Sequence, residues 1–327
     1  MCIRDRRHSR RNALLWSLAL RYLADGRWYT LACAANRLGV SPACLRAALR
    51  EFIRMGAPLQ RDAYRGLRFV QAVTPLRAAS EHVSLPVDES LTIDSTNTRA
   101  MQALGAGLTR PKAWVAEYQT LGRGRAQRRW HQGMGCGLSV SIALPVTCPV
   151  SMQALSLRVG LALAEAVKRY GVLDVGLKWP NDLVWQGKKL GGILIETRRA
   201  GVVVGIGLNH LRLRHEASAI RQPMTSLQEA LGWRLPRRAQ VLAELLRRVL
   251  HEISTVSDTW QRRYAQFDAL LGRTISVSEG ESAVWRGVAE GVDAQGYLQV
   301  RTAQGLRSCR AGEVSVRVNE NWQGQGQ

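Results

Sequence analysis

LKWPNDLVWQGKKLGGILIE, residues Leu177–Glu196, is the stretch from which the rest of the chain is read. It reads as a β-hairpin with Gln186–Gly187 near the turn. Lys178 begins one arm and Lys189 the other, which directs both toward one pocket. Pro180 turns the chain, and Asn181 and Asp182 follow it. An aspartate there suits Mg²⁺, a ribose or an amine, and a lysine in an apolar cleft supplies a compact charge for a carboxylate or an α-phosphate. Gly191–Gly192 lets the backbone come close to a ligand. An ordinary hairpin with surface lysines would look the same, were lysine not scarce. The chain has five lysines among 46 basic residues, and Lys178, Lys188 and Lys189 all lie in this segment.

Strands and helices alternate around it from Ser90 onward. The pattern predicts strands at Leu91–Asp94, Trp114–Gln119, Leu138–Ala143, Leu177–Trp179, Leu183–Trp185, Gly191–Thr197 and Val202–Leu208. It predicts helices at Thr96–Leu104, Met152–Arg169, Ser226–Gly232 and Arg238–Arg263. A small all-β segment, Arg273–Val318, follows, with turns at Glu279–Gly280, Asp293–Gly296 and Gln304–Gly305.

Three further motifs fall at the ends of predicted strands. LGRGRAQRRW, Leu121–Trp130, alternates two glycines with Arg123 and Arg125, so its backbone N–H groups and guanidinium groups can face one anion. Taken alone it is equally an exposed basic turn, and with no GK[ST] it is not a P-loop. IDSTNT, Ile93–Thr98, puts hydroxyls and amides at a helix N-terminus, where polar or anionic groups bind; capping by Ser95 or Thr96 is expected as well. GIGLNH, Gly205–His210, ends an apolar strand with glycines that suit a close ligand or plain packing.

The first 70 residues differ. They carry 14 arginines against four acids. Met1–Arg10 reads as a disordered extension and Asn12–Ala24 as a helix. Thr30 caps a short second helix, Leu31–Leu38. Gly39–Val40 turns, and Ser41 caps a third helix with Pro42 at its first position, running to about Met55. Helix, short turn, helix is the helix-turn-helix pattern. Pro58–Val70 then reads as a two-stranded wing, and residues 71–88 as a linker.

Composition bounds the function. The net charge of +21 suits phosphate-bearing partners, although arginine-rich coding accounts for part of it. Six cysteines without CxxC spacing argue against zinc or a disulfide framework and for reduced thiols in a cytoplasmic protein. No apolar run approaches the roughly 20 residues that span a bilayer, so no membrane role is expected. The tail, Asn319–Gln327, is polar and reads as disordered.

DSTN (Asp94–Asn97), EYQ (Glu117–Gln119), GRGRAQRRW (Gly122–Trp130), KWPNDL (Lys178–Leu183), KLGGILIE (Lys189–Glu196) and GIGLN (Gly205–Asn209) occur together in order. In this combination the chain resembles the biotin–protein ligases, and more closely the bifunctional bacterial type that also represses the biotin operon. GEVSVR, Gly312–Arg317, resembles the family's end domain. The resemblance implies an α+β protein: a winged helix-turn-helix domain (1–72), a linker (73–88), a class II synthetase-like mixed-sheet catalytic domain (89–268) and an SH3-like β-barrel (269–320).

It also implies a reaction. Biotin and ATP, with Mg²⁺, form biotinyl-5′-AMP, and a lysine of a biotin carboxyl carrier protein then takes the biotin. Lys189, Arg123, Arg125, Lys178 and Asp182 carry the catalytic roles, and Asp182 the Mg²⁺. Ser95, Thr96, Asn97, Gln119, Gly122, Gly192 and Gly207, with Arg123, Arg125 and Lys189, bind biotin. Arg128, Trp130, Asn181 and Asn209, with Arg123, Arg125 and Asp182, bind ATP. Ser41, Arg46 and Arg50 face operator DNA, and a homodimer forms when adenylate is bound. The chain departs from the family at Thr120–Leu121, at Ala311–Gly312 and in Leu211–Met224, where no aromatic residue awaits adenine and Arg221 or Met224 is left to stack. A biotin-sensing transcription factor without ligase activity, and a ligase for lipoate or another acid, are the rival readings.

Overall fold

The computed structural model describes residues 3–70, 73–74, 76, 83–148, 152, 154–212, 222–255, 259–279, 284–310 and 314–318. The tail, the linker stretches 71–72, 75 and 77–82, Arg221, and Ala311–Gly312 lie outside the described residues.

The basic first segment makes three helices, α1 (Ile3–Tyr22), α2 (Leu31–Arg37) and α3 (Pro42–Arg54), and a hairpin of β1 (Leu59–Asp62) with β2 (Gly66–Phe69). The expected disorder before Arg10 is not what the structure has, since α1 already begins at Ile3. The run IRDRRHSRRN contains neither Gly nor Pro, and arginine is a good helix former. Both expected caps form: Thr30 Oγ1 accepts from Cys33 N at 3.3 Å, and Ser41 Oγ from Cys44 N at 3.2 Å. Gly39 turns between the helices at φ +64. α3 buries Leu45, Ala48, Leu49 and Phe52, a spacing of three and four that sets one helical face inward. Trp16 meets Phe52 and Phe69 edge-on or tilted, at centroid distances of 4.8 and 5.8 Å. Met134, Cys136 and Leu211 of the following unit bury themselves in the same cluster.

The central sheet has the order β3 (Val87–Ile93), β4 (Lys112–Gln119), β5 (Gly137–Pro145), β9 (Gly201–Asn209), β8 (Lys188–Arg198), β7 (Asp182–Trp185), β6 (Val175–Lys178). Only β3–β4 is parallel, so the sheet is mixed. Alternation along the strands sorts the core into two layers. Trp114, Ala143 and Val203 pack under α4 (Thr96–Gly105). Their chain neighbours Val115, Ile142, Leu144, Val202 and Val204 join the large core with α5 (Leu155–Arg169) and α7 (Arg238–Ser254). Such near-continuous apolar strands are those buried on both faces.

Three expectations need correction. The single helix Arg238–Arg263 is two, α7 and α8 (Trp260–Ala265), with Thr255 extended between them. The sequence there, Ser254–Thr255–Val256, strings together residues with poor helix propensity, and the Arg158 guanidinium takes the carbonyls of Glu252 and Thr255 at the end of α7. The helix expected from Met152 starts at Leu155, after Ala154 in a left-handed conformation. The single hairpin expected over Leu177–Glu196 is two hairpins, because β6 and β7 turn at Trp179–Asn181 before β7 and β8 turn at Gln186–Gly187. Pro180 breaks the ladder, and Lys178 therefore lies one strand further from Lys189 than expected.

A short helix, α6 (Leu227–Leu231), precedes α7. The last segment is an antiparallel sheet in the order β13 (Gly305–Cys309), β12 (Leu298–Thr302), β11 (Trp285–Val292), β10 (Thr274–Glu279), β14 (Val314–Val318). It reaches back to the central sheet, where Trp179 Nε1 donates to Gly296 O at 3.0 Å.

Candidate active site

The junction of β3 and α4 buries Ser95, Thr96 and Asn97. The expected capping does not occur. The Ser95 side chain makes no cap bond, and the Thr96 backbone N–H turns to Gln119 Oε1 at 2.8 Å, with the Thr96 hydroxyl oxygen 3.2 Å from the same atom. Gln119 ends β4 in register with Ile93, so its amide lies within reach of the first turn and competes with local capping. From there a polar chain crosses β5. Gln119 Nε2 donates to Ser139 Oγ (2.9 Å) and Ser139 Oγ to Gln132 Oε1 (2.6 Å). Ser141 Oγ contacts both Thr96 Oγ1 and Asn97 Oδ1, and Asn97 Nδ2 donates to Glu196 Oε2 at 2.6 Å. Gly205 lies directly beneath Asn97, where any β-carbon would overlap the amide.

The loop after β4 closes on itself. Trp130 N donates to Gly122 O (2.9 Å) and Gly124 N to Arg128 O (2.7 Å). A β-carbon at Gly122 would stand 2.6 Å from Trp130 O, so the closure requires glycine there. Ala126 and Gln127 both take positive φ, 49 and 57. The two alternating arginines do not meet at one point, contrary to expectation. Arg123 pairs with Glu196 at 3.3 Å, whereas Arg125 donates to Asn181 Oδ1 at 3.4 Å. Asn181 is itself tied to Ile193 by two backbone-directed bonds. Ile193 and Glu196 are three residues apart on β8, so the two guanidinium groups engage different points along that strand. Burial holds the Arg125 guanidinium below its ordinary range; the Asp182 carboxylate opposes that shift, and the like charge of Arg128 adds to it. A cation so desolvated is set to take an anion.

The second end of the site forms around Lys189. Its Nζ lies 2.6 Å from Asp182 Oδ1 and 5.9 Å from the centre of the Trp130 ring. Gly192 leaves the room for this, since a β-carbon there would sit 3.3 Å from that Nζ. Gly207 does the same for the indole, whose ring would overlap any β-carbon at that position. Among the described residues, the Trp130 Nε1 hydrogen is buried without a partner. Asn209 Nδ2 donates to Thr225 O, and the Lys189 backbone pairs with Pro223 and Thr225. Gln222 Nε2 donates to Asp182 Oδ2 at 3.3 Å. Lys178 is the register partner of Asp182, which puts both side chains on one face.

Thus the structure gathers the residues singled out in the sequence, but into two ends rather than one point. Sequence reasoning missed Glu196, Ser139, Ser141, Gln132 and Gln222. Ser139 and Ser141 carried a signal: two hydroxyls two apart in an otherwise apolar strand mark a polar spot on one face. Thr120 and Leu121 are fixed by backbone bonds to Ile93 and Asp94, and the Leu121 side chain points to solvent. Of the two residues left to stack on adenine, Arg221 lies outside the described residues and Met224 bridges to Lys189; the aromatic ring present at this end is Trp130. Among the described residues no three His, Cys, Asp or Glu side chains cluster as a metal site, and no helix is long and apolar enough to cross a membrane. On α3, Arg46 and Arg50 are exposed one turn apart, beyond the Ser41 cap.

The family model described as "Biotin/lipoate A/B protein ligase family" matches residues 90–209, and "Biotin protein ligase C terminal domain" matches 270–317. The bifunctional ligase/repressor BirA of Salmonella typhimurium is 31% identical over 310 residues, covering 91% of this chain and 96% of that protein. That of Escherichia coli K12 is 30% identical with the same coverage. A structure of the biotin protein ligase from Aquifex aeolicus in complex with biotin and ATP superposes with a TM-score of 0.63 at 28% identity, covering 72% of this chain and 99% of that one. The chain belongs to the biotin protein ligase family.

Proposed function

We propose that this chain condenses biotin with ATP to biotinyl-5′-AMP and transfers the biotinyl group to a lysine of a biotin carboxyl carrier protein. The observation that carries the reading is Lys189. Its ammonium is held against Asp182, with Gly192 and the Trp130 ring beside it, between a polar end (Thr96, Asn97, Gln119) and a cationic one (Arg125, Arg128). That order suits a molecule with a ureido ring at one end and a carboxylate at the other, meeting an α-phosphate.

In the first step a biotin carboxylate oxygen attacks the α-phosphorus, the bond to the β-phosphate breaks, and pyrophosphate leaves. Ser95, Thr96, Asn97 and Gln119 hold the ureido ring, with the Gly122 backbone and Arg123 closing over it. Lys189 orients the carboxylate between Gly192 and Gly207. Arg125 and Arg128 meet the phosphate charge, and Trp130, Asn181 and Asn209 border the nucleotide. Asp182, whose carboxylate Lys189 and Gln222 already engage, is the residue that would hold Mg²⁺ together with the polyphosphate, and the ion would offset phosphate charge there. In the second step the carrier's ε-amine attacks the acyl carbon and AMP leaves. Asp182 and Lys178 lie where that amine arrives.

A second role is favoured by α2, the Gly39 turn and α3, followed by the β1–β2 hairpin. We read this as a winged helix-turn-helix (1–72), joined by 73–88 to a synthetase-like catalytic domain (89–268) and an SH3-like domain (269–320). α3 would enter the major groove of operator DNA with Ser41, Arg46 and Arg50, as a homodimer when adenylate is bound. The test has two arms. Biotin-dependent exchange of ³²P between pyrophosphate and ATP, with mass-shifted carrier domain, supports the ligase; its absence refutes it. Adenylate-dependent retardation of biotin-operon DNA supports the repressor, and Arg46→Ala should weaken it.

A further inference from the structure

The polar chain beneath Thr96 has fixed ends, and these determine where each hydrogen lies. A carboxylate only accepts, so Glu196 obliges Asn97 to present its Nδ2 to it, at 2.6 Å. Asn97 Oδ1 then faces Ser141 Oγ, 2.5 Å away, and must be given that hydroxyl's single hydrogen. Ser141 and Thr96 Oγ1 are 2.7 Å apart, a distance that needs a hydrogen between them. Since Ser141 has spent its own, Thr96 supplies it. The longer 3.2 Å contact from Thr96 Oγ1 to Gln119 Oε1 carries none, and Gln119 Oε1 is served by Thr96 N at 2.8 Å. Thr96 Oγ1 is left as an acceptor toward the site. Asn97 and Ser141 are buried, so no bulk water can reset this order. The same Glu196 oxygen holds Arg123 at 3.3 Å.

We propose that Glu196 is a positioning and specificity residue: through Asn97 and Ser141 it makes Thr96 Oγ1 an obligate acceptor, so that the site demands an N–H from the ureido ring. This rests on the biotin reading. Glu196→Gln removes the obligation, because an amide can donate as well as accept, and Asn97 can then turn over. The hydrogens downstream reverse, and Thr96 can donate instead.

The experiment compares biotin with carbamate analogues in which one ureido N–H is replaced by oxygen, using pyrophosphate–ATP exchange by the full-length protein. Wild type should reject one of the two isomers strongly. In Glu196→Gln the biotin KM should rise about tenfold with kcat within about twofold, and the preference over that isomer should shrink by a similar factor. Ser141→Ala breaks the same chain without touching charge and should shrink the preference too. An unchanged preference in both variants overturns the proposal, as does a loss of kcat with the preference intact, which would mark a merely structural role. If Glu196→Gln fails to fold, Ser141→Ala alone decides. Wild-type protein without biotin-dependent exchange would remove the biotin reading and the proposal together.

Discussion

One glycine and one lysine show how single atoms set the site. Gly207 has no room for a β-carbon against the Trp130 ring. Gly207→Ala should therefore displace the indole and raise the KM for ATP about tenfold or more while changing that for biotin less; equal effects on the two substrates would separate Trp130 from the nucleotide end. Lys189→Gln removes the ammonium that is held against Asp182. Adenylate formation should fall by about 10²–10³-fold, with biotin binding by calorimetry largely kept through Thr96 and Gln119; loss of biotin binding instead would place Lys189 at the ureido end. Lys189, Asp182 and the glycines were legible in the sequence because their types are tied to one purpose. Glu196 was not, since a carboxylate at the end of an apolar strand is more often solvated, and its partner Asn97 lies 99 residues away. The separate bearings of Arg123 and Arg125 were also hidden: alternation suggests one target, but Arg123 pairs with Glu196 and Arg125 with Asn181, both ahead of the loop's positive-φ turn.

That turn is the clearest case at the level of the element. Ala126 and Gln127 both sit in the left-handed region, which costs a residue with a β-carbon roughly 1–2 kcal/mol. The closed loop thus carries strain that its backbone bonds must offset. Gln127→Gly should relieve part of it, by about 1 kcal/mol, and favour the closed form. Trypsin, which cuts at the loop's arginines only when it opens, should then cleave about fivefold more slowly; faster cleavage would mean that glycine's added freedom outweighs the strain. Elsewhere, strands and the capped helices α2 and α3 were read correctly because period-two apolar runs and Ser/Thr caps are local signals. The break between α7 and α8 was missed because the apolar periodicity persists across it while the propensity of Ser254–Thr255–Val256 does not, and the closing contact comes from Arg158 on a distant helix. Pro180 announced a turn and strands were expected on both sides of it, yet that these two strands pair with each other is a matter of register that the pattern does not carry.

At the scale of the molecule, a few buried polar ties join segments that are distant in the chain. Met134 N donates to Met55 O, joining α3 to the segment that follows the arginine loop. Arg238, at the start of α7, is fully buried, pairs with Glu117 at 2.8 Å, and takes the Thr74 carbonyl, so linker, sheet and helix share one ion pair. Nothing in local sequence announces such a pair, because its members are 121 residues apart. Next to it His210 is buried, with Nε2 on Pro236 O at 2.8 Å. Burial, and then the charge of Arg238, push the imidazole down to about 3 from its ordinary 6.5. The folded protein therefore keeps His210 neutral while the unfolded chain protonates it below pH 6.5. The stability linked to this histidine is intact above that pH and is lost as pH falls toward 3. By pH 5 the loss is about 2 kcal/mol. His210→Gln can keep the bond to Pro236 and does not titrate, so denaturant midpoints measured at pH 7.5 and pH 5 should draw together relative to wild type. A variant whose midpoint falls as steeply as the parent's would show that acid unfolding begins at other groups, and that the junction of linker, sheet and α7 is not where the molecule first yields.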